Sequence, residues 1–175
     1  KTYQPITPEI IEKLKAITGP TYVKTDRDML LQYQTDYETN PAMFHVPDAA
    51  VSPANAQEIS EIVKLANEYD FPITVRSGGT SLADGAIPVC GGLVLCMDRL
   101  NKIIELNEEG MYMTVEAGVR TIDIQNAAHE KGLLYAGDPC SSDSCLIGGN
   151  SGVSICHSKG FARLQRISVG PGPCI

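Results

Sequence analysis

Apolar residues recur at helical spacing in two stretches: Ile10, Ile11, Leu14 and Ile17, then Ile59, Ile62, Val63 and Ala66. The first opens on Thr7-Pro8-Glu9, which offers a capping hydroxyl, a proline at the first helical position and an acid in the first turn. Gly19 closes it. The second follows Asn55-Ala56-Gln57-Glu58, a capping box with Asn in place of Ser or Thr, and stops near Asp70, before Pro72. A third helix is predicted after Thr121 as its cap, carrying Ile122, Ile124, Ala127 and Ala128 and ending at Gly132. Asp26 to Leu31 reads as a short helix.

Between the helices lie short strand signals. Ala49-Ala50-Val51 and Ile73-Thr74-Val75 are small or β-branched runs, and Leu93-Val94-Leu95-Cys96-Met97 is apolar throughout, as a strand buried on both faces would be. Asn101 to Leu106 and Met111 to Glu116 frame the polar turn Asn107-Glu108-Glu109-Gly110, the pattern of a hairpin. Met111, Met113 and Val115 alternate with polar positions, so one face is expected to be core. Positions 35 to 47 carry no period and read as loop. The order strand, helix, strand around residues 49 to 75 predicts a parallel crossover, which puts the segment after Val75 at the carboxyl end of a strand.

That segment is Arg76-Ser77-Gly78-Gly79-Thr80-Ser81. Two glycines let the backbone turn tightly, and hydroxyls, amides and a guanidinium are brought close together. Either a structural turn or a site for a phosphate oxygen accounts for it. A second glycine-containing region runs through Gly137-Asp138-Pro139-Cys140-Ser141-Ser142-Asp143 to Ile147-Gly148-Gly149-Asn150. There a phosphate or a flat ring could approach the main chain, and a plain loop-to-helix turn is the alternative. The dinucleotide fingerprint G-x-G-x-x-G and the P-loop pattern are both absent.

The 175 residues suffice for one domain or two small lobes. A net charge of −7 without any basic cluster argues against a nucleic-acid partner. The run from Leu93 to Met97 is far too short to cross a bilayer, and Lys1 to Pro5 has no signal-peptide core. The six cysteines form no C-x-x-C pair and the three histidines are scattered. Reduced thiols in a cytoplasmic protein, with no metal site, are therefore expected.

The two glycine regions, with Ala83-Asp84-Gly85-Ala86-Ile87-Pro88 after the first and Val115-Glu116-Ala117-Gly118-Val119 after the hairpin, resemble the flavin domain of vanillyl-alcohol-oxidase-type enzymes. The resemblance is closest to the branch of bacterial glycolate oxidase flavin subunits and FAD-dependent D-lactate dehydrogenases, and it runs from Thr7 to Asn150. It implies an α+β, PCMH-type FAD-binding fold that is incomplete here, holding the first lobe and the start of the second. It also implies that Arg76, Ser77, Gly78, Gly79, Thr80, Ser81, Asp138, Pro139, Ser142, Gly148, Gly149 and Asn150 bind the cofactor. A variable acid-bearing loop near residue 36 makes Asp36 and Tyr37 candidates for contacting the flavin, a surface loop being the alternative. Relatives with covalent flavin often carry His where this chain has Thr80, so the FAD is expected to be held non-covalently.

After Asn150 the resemblance stops. Residues 151–175 show no amphipathic period and include Gly170-Pro171-Gly172-Pro173. The expectation is an FAD-domain portion over residues 1–150, then a tail produced by a shift of reading frame, a point that sequencing the source locus decides. The implied function is the FAD-binding part of an oxidoreductase acting on 2-hydroxy acids, inactive alone and prone to dimerise through exposed core surface. No catalytic residue is assigned, because in the resembled enzymes the groups that bind the substrate and serve as base come from a later cap domain; His45, His129 and His157 match no family motif. The alternatives are a non-catalytic nucleotide-binding or interaction module, and a flavin reductase of peptidoglycan precursor synthesis.

Overall fold

The computed structural model describes residues 3–37, 40–152 and 161–166. The chain divides into two compact units, one up to Asn101 and one from Lys102 onward.

In the first unit, helix α1 (Pro8–Thr18) starts as its sequence predicts: Thr7 accepts a hydrogen bond from the Ile10 amide, and Gly19, at φ 90°, ends the helix. A 3-10 turn leads into strand β1 (Val23–Lys24). Helix α2 (Arg27–Leu30) is capped by Asp26 and followed by a 3-10 turn that brings Tyr33 into the core. Residues 35–37 and 40–47 are loop apart from a 3-10 turn at Pro41–Met43.

Strand β2 (Ala49–Val51) then leads to helix α3 (Ala56–Tyr69), where the Asn55 side chain accepts from the Glu58 amide at 2.9 Å. Glu58 reaches back to the amide of Ala54 rather than of Asn55, at 2.8 Å. The buried face of α3 is rotated from the sequence expectation. Ile62, Leu65 and Ala66 are buried, and Val63 is exposed. The cause is α1, which packs against α3 so that Ile17 and Leu65 line the same groove.

Strand β3 (Ile73–Arg76) follows, then β4 (Leu93–Cys96), in a sheet ordered β1-β2-β4-β3. The crossover is parallel as expected, but β4 lies between the two strands it joins: Leu93 is flanked by Ala49 on one side and Ile73 on the other. This central position buries all of β4, whereas Val75 on the edge strand is exposed. Ala50, Val94 and Cys96 on one face pack with Leu30 and Tyr33.

The second unit begins with the hairpin β5 (Ile103–Asn107) and β6 (Tyr112–Val115). Met113 is fully buried, but Met111 sits in the turn at φ 51° and is exposed, so the apolar alternation starts one pair later than expected. Helix α4 (Thr121–Glu130) has Arg120, not Thr121, at its N-cap. Thr121 is the first helical residue and is fully buried, which corrects its expected capping role. Strand β7 (Leu133–Tyr135) carries too short a pattern to be read from sequence, and it packs on α4. Helix α5 (Ile147–Gly152) follows the polar loop. The core joins Met113, Val119, Ile124, Ala128, Leu133, Tyr135 and Ile147.

Strand β8 (Phe161–Arg166) lies between β6 and β7, giving the sheet order β5-β6-β8-β7. The absence of a period after Asn150 did not point to this strand. A ladder is built from backbone groups, which any non-proline residue supplies. The remaining tail positions, His157 and the Gly-Pro-Gly-Pro run among them, lie outside the described residues.

Candidate functional site

The parallel sheet of the first unit sets Ser77-Gly78-Gly79-Thr80-Ser81 at the carboxyl end of β3. Gly79 has φ +67°, whereas its neighbours have negative φ. A sign change of this kind turns successive amides toward one side and creates an anion-binding concavity. Among the described residues, no protein acceptor takes the amides of Ser77 through Leu82. Both flanks of the loop are anchored. The Ser81 hydroxyl accepts from the Ala83 amide at 3.1 Å, the Ser81 carbonyl accepts from the Tyr37 amide at 3.2 Å, and Ala86, Ile87 and Pro88 are buried. An open row of donors on fixed supports fits a phosphate oxygen.

The guanidinium of Arg76 lies against the backbone of Gly79. Its Nη1 donates to the Thr35 carbonyl at 2.7 Å and to that of Ala86 at 3.5 Å. It lies 5.8 Å from the centroid of the Tyr33 ring. Burial pulls its pKa below the ordinary arginine value, and the charge of Asp36 is among those opposing that shift. Lys24 donates to the Tyr33 hydroxyl at 2.6 Å, and burial pushes the neighbouring Cys96 thiol up to about 11. Asp36 and Tyr37 are thus brought beside the glycine loop, with the Tyr37 side chain exposed. No spacing rule reveals the Lys24–Tyr33–Arg76 cluster, because its members come from separate elements.

In the second unit, Gln125 donates to the Gly137 carbonyl at 3.0 Å and to Asp138 Oδ1 at 3.2 Å. The Pro139 carbonyl accepts from the Ser142 amide, and the Ser142 carbonyl from the Ile122 amide. Gly148 and Gly149 form the first turn of α5, and their amides donate to Ala117 and Leu146 at 2.9 and 3.1 Å. The Asn150 amide also donates to Leu146. These three N–H groups are committed to the protein, so a phosphate would not find them free. What Gly148 and Gly149 offer is bare backbone, which suits the approach of a flat ring. The Asn150 side chain is buried, donating to Thr121 Oγ1. Among the described residues no helix is long and apolar enough to cross a membrane, and no three His, Cys, Asp or Glu side chains are grouped as metal ligands would be.

A family described as an FAD binding domain matches residues 47–162. The chain is 39% identical over 145 residues to glycolate oxidase subunit GlcD of Bacillus subtilis, a match covering 83% of this chain and 30% of that protein. It is 34% identical over 147 residues to D-2-hydroxyglutarate dehydrogenase of Stutzerimonas stutzeri, covering 84% and 31%. With D-lactate dehydrogenase of Anaerostipes hadrus the identity is 29% over 151 residues, covering 85% and 30%. Among solved structures, p-cresol methylhydroxylase with substrate bound superimposes with a TM-score of 0.72 at 27% identity, over 81% of this chain and 28% of that one. Alkyldihydroxyacetonephosphate synthase, at 22% identity, shares the fold with a TM-score of 0.76 over 91% and 31%. The fold is the mixed α and β, PCMH-type flavin fold.

This chain belongs to the family of FAD-binding domains. It spans about 30% of the length of the curated relatives it matches, and the matching part is their FAD-binding portion.

Proposed function

We propose that this chain is the FAD-binding portion of an oxidoreductase acting on a 2-hydroxy acid of the glycolate, D-lactate or D-2-hydroxyglutarate kind. The observation that carries this reading is the row of unengaged amides from Ser77 to Leu82 at the end of a parallel strand. Ser77, Gly78, Gly79, Thr80 and Ser81 would hold the pyrophosphate by backbone N–H groups and hydroxyls. In the second unit, taken by itself, the loop bearing Asp138, Pro139 and Ser142 and the bare backbone of Gly148 and Gly149 offer main chain that a flat ring could approach. Asn150 would act from beneath, by holding the start of α5. Bound FAD supplies the two-electron redox chemistry, and the chain's own residues bind and orient it.

Thr80 has no ring nitrogen with which to form a histidyl linkage to flavin, so the cofactor is held non-covalently. A reducing, cytoplasmic setting belongs to the same reading.

The test is titration of the purified chain with FAD, followed by flavin fluorescence, with competition by ADP and inorganic pyrophosphate. Saturable binding that both compete for, and complete release of the yellow colour on acid precipitation, support the reading. Binding that pyrophosphate does not affect counts against the loop, and colour retained in the precipitate counts against non-covalent attachment. With excess FAD and a dye acceptor, the chain by itself is expected to reduce no dye above the free-flavin background with glycolate, D-lactate or D-2-hydroxyglutarate, and turnover with any of them would overturn the expectation that it is inactive alone.

A further inference from the structure

We propose that Arg76 is a positioning residue for the glycine loop and not a charge partner of the bound anion, an inference that rests on the FAD reading above. It is carried by the surroundings of the guanidinium. Nη1 is shared between the carbonyls of Thr35 and Ala86, which lie on the two sides of the loop. One face meets the ring of Tyr33. Against Gly79 the group is so close that a Cβ placed there would lie 2.2 Å from Nη2, 2.5 Å from Cζ and 2.9 Å from Nε. Three guanidinium atoms within 3 Å of one point put its plane against the Gly79 backbone.

Arg76 therefore joins four places: the segment at Thr35, the ring of Tyr33, the turn at Gly79 and the buried anchor at Ala86. A planar group with donors at its edge and apolar faces can do this, and a lysine ammonium cannot. The Tyr37–Ser81 backbone bond runs parallel to this tie, so residues 35–37 form a strap held to the loop at two points. Glycine at position 79 is required by its left-handed backbone and also by the cation beneath it. Nη1 is given to carbonyls on both sides of the loop, and the main-chain amides of the loop are left to the anion.

The test compares Arg76→Lys with Arg76→Gln by two measurements. The first needs no cofactor: hydrogen exchange of the 35–37 and 77–83 amides in the FAD-free chain. Both variants are expected to exchange faster there, while α4 and β6 keep their wild-type rates. The second is FAD affinity. Both variants are expected to weaken it by a similar factor, roughly tenfold, with an unchanged dependence on salt concentration. A lysine variant with wild-type affinity beside a glutamine variant that has lost it would overturn the proposal. So would wild-type exchange in both. If the wild-type chain binds no FAD, the cofactor reading fails, and the exchange result still decides whether Arg76 holds the loop. Should Arg76→Gln fail to fold, Tyr33→Leu removes the ring beneath the guanidinium. Faster exchange at residues 35–37 in that variant supports the proposal, and unchanged exchange sinks it.

Discussion

Asn150 donates its side-chain amide to the hydroxyl of Thr121 at 2.7 Å across 29 positions of sequence, and both residues are buried. Cys145 Sγ lies 3.2 Å from the same hydroxyl and 3.4 Å from the Asn150 nitrogen. This cluster ties the start of α4 to the start of α5, the helix that carries Gly148 and Gly149. Thr121→Val keeps the shape and removes the acceptor, leaving a buried amide without its oxygen. A loss of about 1–3 kcal/mol is expected in denaturant unfolding. Thr121→Ser keeps the hydroxyl and should cost about 1 kcal/mol for the lost methyl group. Equal stability of the valine variant and the wild type would show that the bond contributes nothing net.

Replacing Gly79 by valine forces a β-branched residue into the left-handed region and drives its Cβ into the Arg76 guanidinium. The local strain is on the order of 2 kcal/mol or more. FAD binding should be lost from the titration, while the far-ultraviolet circular dichroism stays unchanged because neither core includes Gly79. Retained affinity would make the loop a purely structural turn.

Cys96 supplies an alkaline dependence of stability. Burial raises its thiol from the ordinary value of 9.0 to about 11. Above pH 9 the unfolded chain releases this proton and the folded chain keeps it, so the unfolded state binds fewer protons and stability falls as pH rises. The contribution is fully present below pH 9 and is lost through about pH 11, about 2–3 kcal/mol in all. Cys96→Ala should be less stable at neutral pH, through its cavity, but should show a shallower decline from pH 9 to 11. Parallel pH profiles for the two proteins would refute the assignment. The same burial predicts that Cys96 resists alkylation at pH 8 until the chain unfolds, whereas exposed Cys90 and Cys140 react.

The cap of α3 can be tested separately. Asn55→Ala removes the acceptor for the Glu58 amide and should destabilise the chain by about 1 kcal/mol, whereas Asn55→Asp should be close to neutral. Thermal unfolding of the two variants side by side checks this, and equal melting temperatures would rule out a contribution from the cap.

Local neighbours by themselves determined the starts of α1 and α3, the end of α1 at Gly19, the buried β4 and the position of the hairpin turn. Each depends on groups a few positions apart: a side-chain oxygen three residues from the amide it caps, or a polar turn between two alternating runs. The loop after β3 was legible for the same reason, since paired glycines after a β-branched run describe a turn whatever surrounds it.

Tertiary structure alone decided the rest. The insertion of β4 between β2 and β3, the exposure of Val63 in place of Leu65, and the burial of Thr121 each depend on which distant element supplies the facing surface. Arg76 shows the reason most clearly. Its sequence neighbours are glycines and hydroxyls suited to an anion, yet its hydrogen-bond partner is a carbonyl 41 positions earlier. A half-buried guanidinium takes the acceptors that packing brings to it: Nη1 meets the Thr35 carbonyl while the plane of the group lies against Gly79. The amide of Gly148 was committed in the same way, by the Ala117 carbonyl, which only the folded chain sets within reach.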